Sequence, residues 1–246
     1  MTGPRYAIFF VPPAATALYQ FGAGVLGYDS YTGAISNDEL ENGLSATEWQ
    51  RLTAEPRKYG FHATLKAPFR LQSGFSERDL IEEFGRFAAC QASPERFAAT
   101  ITILDGFTAL MPAAPARTLD LLAANCVHGF DRFRAELTAA ERSRRLAHPL
   151  TPRQIDHLDR WGYPFVLEDF RFHMTLTGRL PAVRVAHVLE FLRWMHERRS
   201  VPVEIVVDTI ALLRQDAPDS PFRVIADAAL QAPAEAPRAA AGLPAE

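Results

Sequence analysis

Runs and alternations of apolar residues outline most of the elements. Tyr6-Ala-Ile-Phe-Phe-Val11 is unbroken and stops at Pro12-Pro13, the pattern of a buried strand, and a short helix is predicted over 14–21. Residues 22–46, rich in Gly, Ser, Asn and Asp, read as a long connection, with Gly22-Ala-Gly24 as flexible chain inside it. Strands are predicted over 61–71, 97–107, more weakly 118–123, then 170–180, 203–213 and 222–228. Leu80, Ile81, Phe84 and Phe87 recur at helical spacing behind Ser76, which predicts a capped helix over 76–89. Further helices are predicted over 127–146, 152–161 and 183–198. Residues 231–246 are mostly Ala, Pro and Glu and read as a disordered tail, leaving one bilobal domain over 1–230.

The two halves repeat one order, strand, helix, strand, each around a histidine. An α+β fold is therefore expected, with two lobes related by a pseudo-twofold axis and each an antiparallel sheet with helices on its outer face. At 246 residues and 48% hydrophobic content the chain can bury a core without staples, so Cys90 and Cys126 are expected to be reduced. A net charge of −3 offers no global positive field, which argues against a stable nucleic-acid complex. No run approaches the roughly 20 apolar residues that span a bilayer, and the first residues lack a signal-peptide pattern. A cytoplasmic monomer that does not engage membranes is expected.

The repeat also carries chemistry. Gly60-Phe-His-Ala-Thr-Leu-Lys66 and Arg171-Phe-His-Met-Thr-Leu-Thr177 share Phe-His-x-Thr-Leu. With 7 His and 15 Thr in the chain, chance supplies about 0.4 His-x-Thr triplets, so two copies in one larger pattern are not accidental. Alternation along a strand puts His62, Thr64 and Lys66 on one face and Phe61, Ala63 and Leu65 on the other. The second copy does the same with Arg171, His173, Thr175 and Thr177 against Phe172, Met174 and Leu176. Two facing imidazoles can act as general base and general acid near neutrality, while hydroxyls and a cation hold the oxygens of a phosphorus centre between them. Each ring nitrogen would then sit about 3 Å from its own oxygen, with the two nitrogens roughly 5–8 Å apart.

These twin motifs resemble the 2H phosphoesterase superfamily, which includes RNA 2′,3′-cyclic phosphodiesterases of the LigT type. The longer strings Arg57-Lys-Tyr-Gly-Phe-His-Ala-Thr-Leu-Lys-Ala-Pro-Phe69, Trp161-Gly-Tyr-Pro-Phe-Val166 and Phe170-Arg-Phe-His-Met-Thr-Leu-Thr-Gly-Arg179 are similar to its DUF1045 branch, associated with phosphonate metabolism because its genes tend to lie near phosphonate-degradation genes. The resemblance implies a LigT-like fold over nearly the whole chain up to about residue 230. It implies His62 and His173 as the acid/base pair and Thr64 and Thr175 as phosphate-binding hydroxyls, without saying which histidine is the base. Lys66, Tyr59, Arg171, Thr177 and Tyr163 are further substrate-binding candidates.

No metal or other cofactor is called for: Cys90 and Cys126 lack Cys-x-x-Cys spacing, and the histidines lack His-x-x-x-His spacing. His128, His148, His157, His187 and His196 read as surface or capping residues. The basic run Arg142, Arg144, Arg145 reads as a solvated helix end that would hold a second phosphate if it bordered the cleft. The reaction expected is the metal-independent opening or hydrolysis of a small cyclic phosphodiester. RNA-end processing, as a 2′,3′-cyclic phosphodiesterase or a ligase, and nucleotide or RNA-end binding without turnover are the alternatives.

Overall fold

A computed structural model describes residues 3–36 and 43–232; the predicted tail lies, from residue 233 on, outside the described residues. The chain lays down β1 (Arg5–Phe10), α1 (Ala17–Leu26), α2 (Ala46–Arg57), β2 (Ala63–Arg70), α3 (Glu77–Ala88) and β3 (Phe97–Leu104). It then follows a matching course through β4 (Phe107–Pro112), α4 (Arg117–Gly129), α5 (Ala139–Leu146), α6 (Pro152–Trp161), β5 (Met174–Arg179) and α7 (Val185–Arg198). The strands β6 (Glu204–Ile205), β7 (Thr209–Gln215) and β8 (Arg223–Ala229) close it.

The strands are ordered β6-β3-β4-β5-β2-β1-β7-β8, and each neighbouring pair is antiparallel. Two four-stranded sheets, β8-β7-β1-β2 and β5-β4-β3-β6, meet edge to edge where Ala63 pairs with Met174. The two lobes expected from the repeat are there, but they are not successive halves of the chain. After α3 the chain crosses to place β3 beside β4, and after α7 it returns to place β7 beside β1. Helices α3 and α4 pack on the first lobe, against β7, β8 and β2, while α1, α2 and α7 pack on the second, against β5 and β3. Phe61, Ala63, Leu65, Phe172, Met174 and Leu176 all enter one continuous core, as their alternation predicts.

Several expectations are corrected. The predicted connection over 22–46 begins inside α1, and α2 was not predicted at all: of its 12 residues only Trp49, Leu52, Thr53 and Pro56 are buried, too few to raise a strong apolar signal. Its start is nonetheless marked, because the Ser45 hydroxyl accepts the Glu48 amide. The strand predicted over 97–107 ends at Leu104. Asp105 and Gly106, both at positive φ (47° and 90°), turn the chain into β4, the two-residue hairpin that an Asp-Gly pair favours. The weak strand predicted over 118–123 is the start of α4, whose buried Leu119, Leu122, Ala123, Cys126 and Val127 follow a helical period. The segment predicted as one strand over 203–213 is split into β6 and β7. Gln231, assigned to the tail, exchanges backbone hydrogen bonds with Gln91 and Ser93.

Gly22 and Gly24 belong to α1 and differ in what they face. A Cβ on Gly22 would stand 2.0 Å from the Phe61 ring, so α1 seats on the residue next to His62 only because that position is glycine. A Cβ on Gly24 would meet only the tip of the Arg199 side chain, at 3.0 Å. Gly22→Ala is therefore expected to lower unfolding free energy by about 1–3 kcal/mol through overpacking. Gly24→Ala is expected to be neutral or to gain up to about 1 kcal/mol from helix propensity. Urea denaturation of the two variants checks this; equal effects would mean that α1 does not lean on Phe61.

Candidate active site

Antiparallel register alone assembles the polar cluster. With Ala63 opposite Met174, one step along each strand sets His62 across from Thr175 and Thr64 across from His173. Ala63 and Met174 are both 0% exposed, so alternation turns these four side chains to the other face of the joint. Directly opposed Cβ atoms in such a pair lie about 4.5–5.5 Å apart and diagonal ones about 7–8 Å, and the two histidines occupy the diagonal.

The rings are held alike. His62 Nδ1 lies 2.9 Å from the Gly60 carbonyl and His173 Nδ1 lies 2.7 Å from the Arg171 carbonyl. A carbonyl only accepts, so in both rings Nδ1 carries a proton and the neutral form keeps its lone pair on Nε2. His62 Nε2 stands 3.1 Å from the Thr64 hydroxyl, which donates to it. Gly60 sits at φ 74°, where a Cβ would also press to 2.9 Å from Ser30, and this left-handed turn aims its carbonyl at the His62 ring.

The surroundings differ. His62 stacks on Phe9, centroids 3.9 Å apart, and has Tyr59 at 5.9 Å, itself stacked on Phe222 at 5.3 Å. Burial among these rings, reinforced by the charge of His173, pushes the His62 pKa down to about 4, against the opposing pull of the Gly60 carbonyl. His173 lies 5.9 Å from Phe107. Burial lowers its pKa as well, the Arg171 guanidinium adds to that, and the Arg171 carbonyl and the Asp105 carboxylate work against it. Thr64 and His173 line a cleft of about 530 Å³, together with Asp105, Phe107, Tyr163 and Arg171.

Of the residues singled out in the sequence, His62, Thr64, His173 and Thr175 share the face, Arg171 and Tyr163 line the cleft, and Tyr59 backs His62. Lys66 does not belong to the site. Phe9 pairs with Thr64 but Ile8 pairs with Lys66, a slip of one residue, and since Ile8 and Phe9 face opposite ways so do Lys66 and Thr64. Lys66 is 3% exposed, donates to the Val127 carbonyl at 2.9 Å and pairs with Asp131 at 3.3 Å. Thr177 is withdrawn at a larger irregularity, a slip of two residues, where residues 176–178 of β5 stand opposite Thr108 alone. Its hydroxyl bonds the Thr108 hydroxyl at 2.8 Å, and both residues are fully buried. His157 is also not a surface group: it is buried, with ring nitrogens 3.4 Å from Glu168 and from Asp169.

Phe9, Phe107, Phe222 and Asp105 were not foreseen. The three phenylalanines read as ordinary core residues, and only the Asp105-Gly106 hairpin pair carried a local signal. Among the described residues no group of three or more His, Cys, Asp or Glu is arranged to hold a metal ion, and no helix is long and apolar enough to cross a membrane.

Lys66→Ala is expected to act on stability, not on ligand binding. It strips the Val127 carbonyl of its donor and leaves Asp131 to Arg134, at a cost of about 1–3 kcal/mol. Denaturant unfolding measures the cost, and phosphate affinity at a temperature where the variant is folded should match the wild type. A salt-sensitive loss of phosphate affinity would return Lys66 to the site.

The family model described as "Protein of unknown function (DUF1045)" matches residues 64–223. A ribose 1,5-bisphosphate phosphokinase PhnN of Janthinobacterium sp. (strain Marseille) is 36% identical over 222 residues, 89% of this chain and 49% of that protein. One of the same name from Laribacter hongkongensis (strain HLHK9) is 34% identical over 188 residues, 74% of this chain and 42% of the relative. The chain thus spans about half the length of the curated relatives it matches. Among solved structures, E. coli LigT complexed with 3′-AMP aligns at 13% identity and a TM-score of 0.42, over 94% of this chain and 99% of that one. A conserved protein of unknown function from Agrobacterium tumefaciens aligns at 12% identity and 0.41, over 92% of this chain and 86% of that one. With both motif strands inside its α+β fold and nearly two thirds of its length matched, the chain belongs to the DUF1045 family.

Proposed function

We propose that the chain is a phosphoesterase that opens a small cyclic phosphodiester by two-histidine acid/base catalysis, with a place in phosphonate metabolism. The observation that carries this is the register at the joint, which sets two Nε2-presenting histidines on the diagonal of a square completed by two threonine hydroxyls. A binding site needs hydroxyls and charge but has no use for two proton-transfer groups. The names of the curated relatives, which point to a doubly phosphorylated ribose, support a small sugar phosphate as the substrate class.

His62 is the base, because burial keeps it neutral at any pH well above about 4. Its Nε2 takes a proton from water as the water oxygen bonds to phosphorus. The ring P–O bond breaks on the opposite side, and His173 Nε2–H gives its proton to the leaving alkoxide, with Asp105 favouring the charged imidazolium beforehand. A phosphomonoester leaves, and the two histidines exchange protons with solvent to restore their starting states. With substrate bound, Thr64 turns its one hydroxyl proton from His62 Nε2 to a non-bridging oxygen, which frees that nitrogen for the water, Thr175 donates to the other oxygen, and Arg171 supplies the cation that Lys66 does not.

The test is a panel of nucleoside 2′,3′-cyclic, ribose 1,2-cyclic and ADP-ribose cyclic phosphates assayed with EDTA present. Turnover of at least one member should survive chelation, and His62→Ala and His173→Ala should each lower kcat by roughly 10²–10⁴. Full activity in either variant would remove the mechanism.

The pH profile follows from the same groups. Acidification removes activity as His62 is protonated near pH 4, and alkali removes it as His173, also held below its ordinary 6.5, loses its proton. The profile of kcat/KM should be a bell with its maximum between these limits, on the acid side of neutrality. A maximum above pH 8 would contradict the assignment.

A further inference from the structure

Four arginines, one in β2 and three between residues 134 and 153, are spent on carboxylates. Arg142 pairs with Asp159 at 2.6 Å, Arg153 with Asp169 at 2.8 Å, Arg134 with Asp131 at 2.8 Å and Arg70 with Glu141 at 2.9 Å. Arg145 has no ion pair among the described residues. It stands in the last turn of α5 with its guanidinium carbon 4.9 Å above the centroid of Tyr163, whose ring lines the cleft that Thr64 and His173 line.

Stacking on an aromatic face fixes the guanidinium plane while leaving its N–H edges free to bind a phosphate in the bidentate manner arginine favours. The carboxylates of the cleft do not compete for it: Asp169 is engaged by Arg153 and Gln154, Glu168 lies 3.4 Å from His157, and Asp105 faces His173. Arg171, which lines the cleft itself and likewise has no ion pair among the described residues, stands two residues before His173 and serves the reacting phosphate. The cleft volume of about 530 Å³ leaves room for more than that group, within the roughly 300–1,000 Å³ usual for small-molecule sites.

We propose that Arg145, seated on Tyr163, binds a second, non-reacting phosphate, so that the preferred substrate is a small sugar cyclic phosphate bearing an additional phosphomonoester. This rests on the phosphoesterase reading of the His62–His173 site and deepens it by naming the substrate class. The run of arginines noted in the sequence then divides by role, with Arg142 held to Asp159 and Arg145 turned to the ligand.

A matched pair of substrates tests it: adenosine 2′,3′-cyclic phosphate with and without a 5′-phosphate. The wild type should favour the 5′-phosphorylated member at least tenfold in kcat/KM, Arg145→Ala should reduce that ratio to below about threefold, and Arg145→Lys should fall between. No preference in the wild type, or an unchanged ratio in a folded Arg145→Ala, overturns the proposal while leaving the phosphoesterase reading standing. If neither compound is turned over, the phosphoesterase reading fails on these substrates and calorimetric titration with ribose 5-phosphate decides the anion site. Arg145→Ala should then weaken binding at least tenfold, with Arg142→Ala, whose guanidinium is held by Asp159, binding as the wild type does. Equal affinity in Arg145→Ala and wild type, or no binding to the wild type, overturns it.

Discussion

The pairing of Ala63 with Met174 is the constraint on which the site depends. It is short, and it is the place where two four-stranded sheets become one. Because side chains on paired strands share a face, this single contact decides that two histidines and two threonines meet, and that the apolar residues between them go to the core. A slip of one residue at the joint would turn the histidine and threonine of one strand into the hydrophobic interior and leave the two histidines on opposite faces.

Around this joint the lobes treat their histidines unequally. The backbone holds both rings in the same tautomer, but His62 lies in an aromatic wall of Phe9, Tyr59 and Phe222, while His173 has a carboxylate and a guanidinium as neighbours. Equivalent residues thereby acquire unequal proton affinities, both lowered and His62 the more strongly, a difference that the repeated motif by itself does not supply.

Alternation was enough to read the motif strands, the buried rows and the four polar residues, since each depends only on period two within a strand. It failed for Lys66 and Thr177, each at a register irregularity, of one residue in the first case and of two in the second. Both stand two residues past their threonine, and in each lobe the register slips there, in β2 against β1 and in β5 against β4. Gly178, inside the second of these irregularities, is the kind of strand residue that marks one, whereas β2 carries no glycine at its slip. The wall behind His62 was illegible for another reason: Phe9 and Phe222 lie about 50 residues before and 160 after the histidine, and only tertiary packing brings Phe9 onto its ring and Phe222 behind Phe9 and Tyr59. Helix α2 and the start of α4 were missed where tertiary burial outweighed weak local pattern.

The exchange of β3 and β7 between the lobes bears on how the chain reaches its native state. The sheet that carries His62 is built from β1 and β2 near one end of the chain and β7 and β8 near the other, so it cannot be completed until nearly all described residues have been synthesised. The sheet that carries His173 is continuous in sequence from β3 to β6 and can form inside that interval. The lobe that carries His62 therefore depends on non-local pairing with a long loop to close, the slow kind of contact. Neither half of the molecule, cut at the Asp105-Gly106 turn, contains a whole sheet.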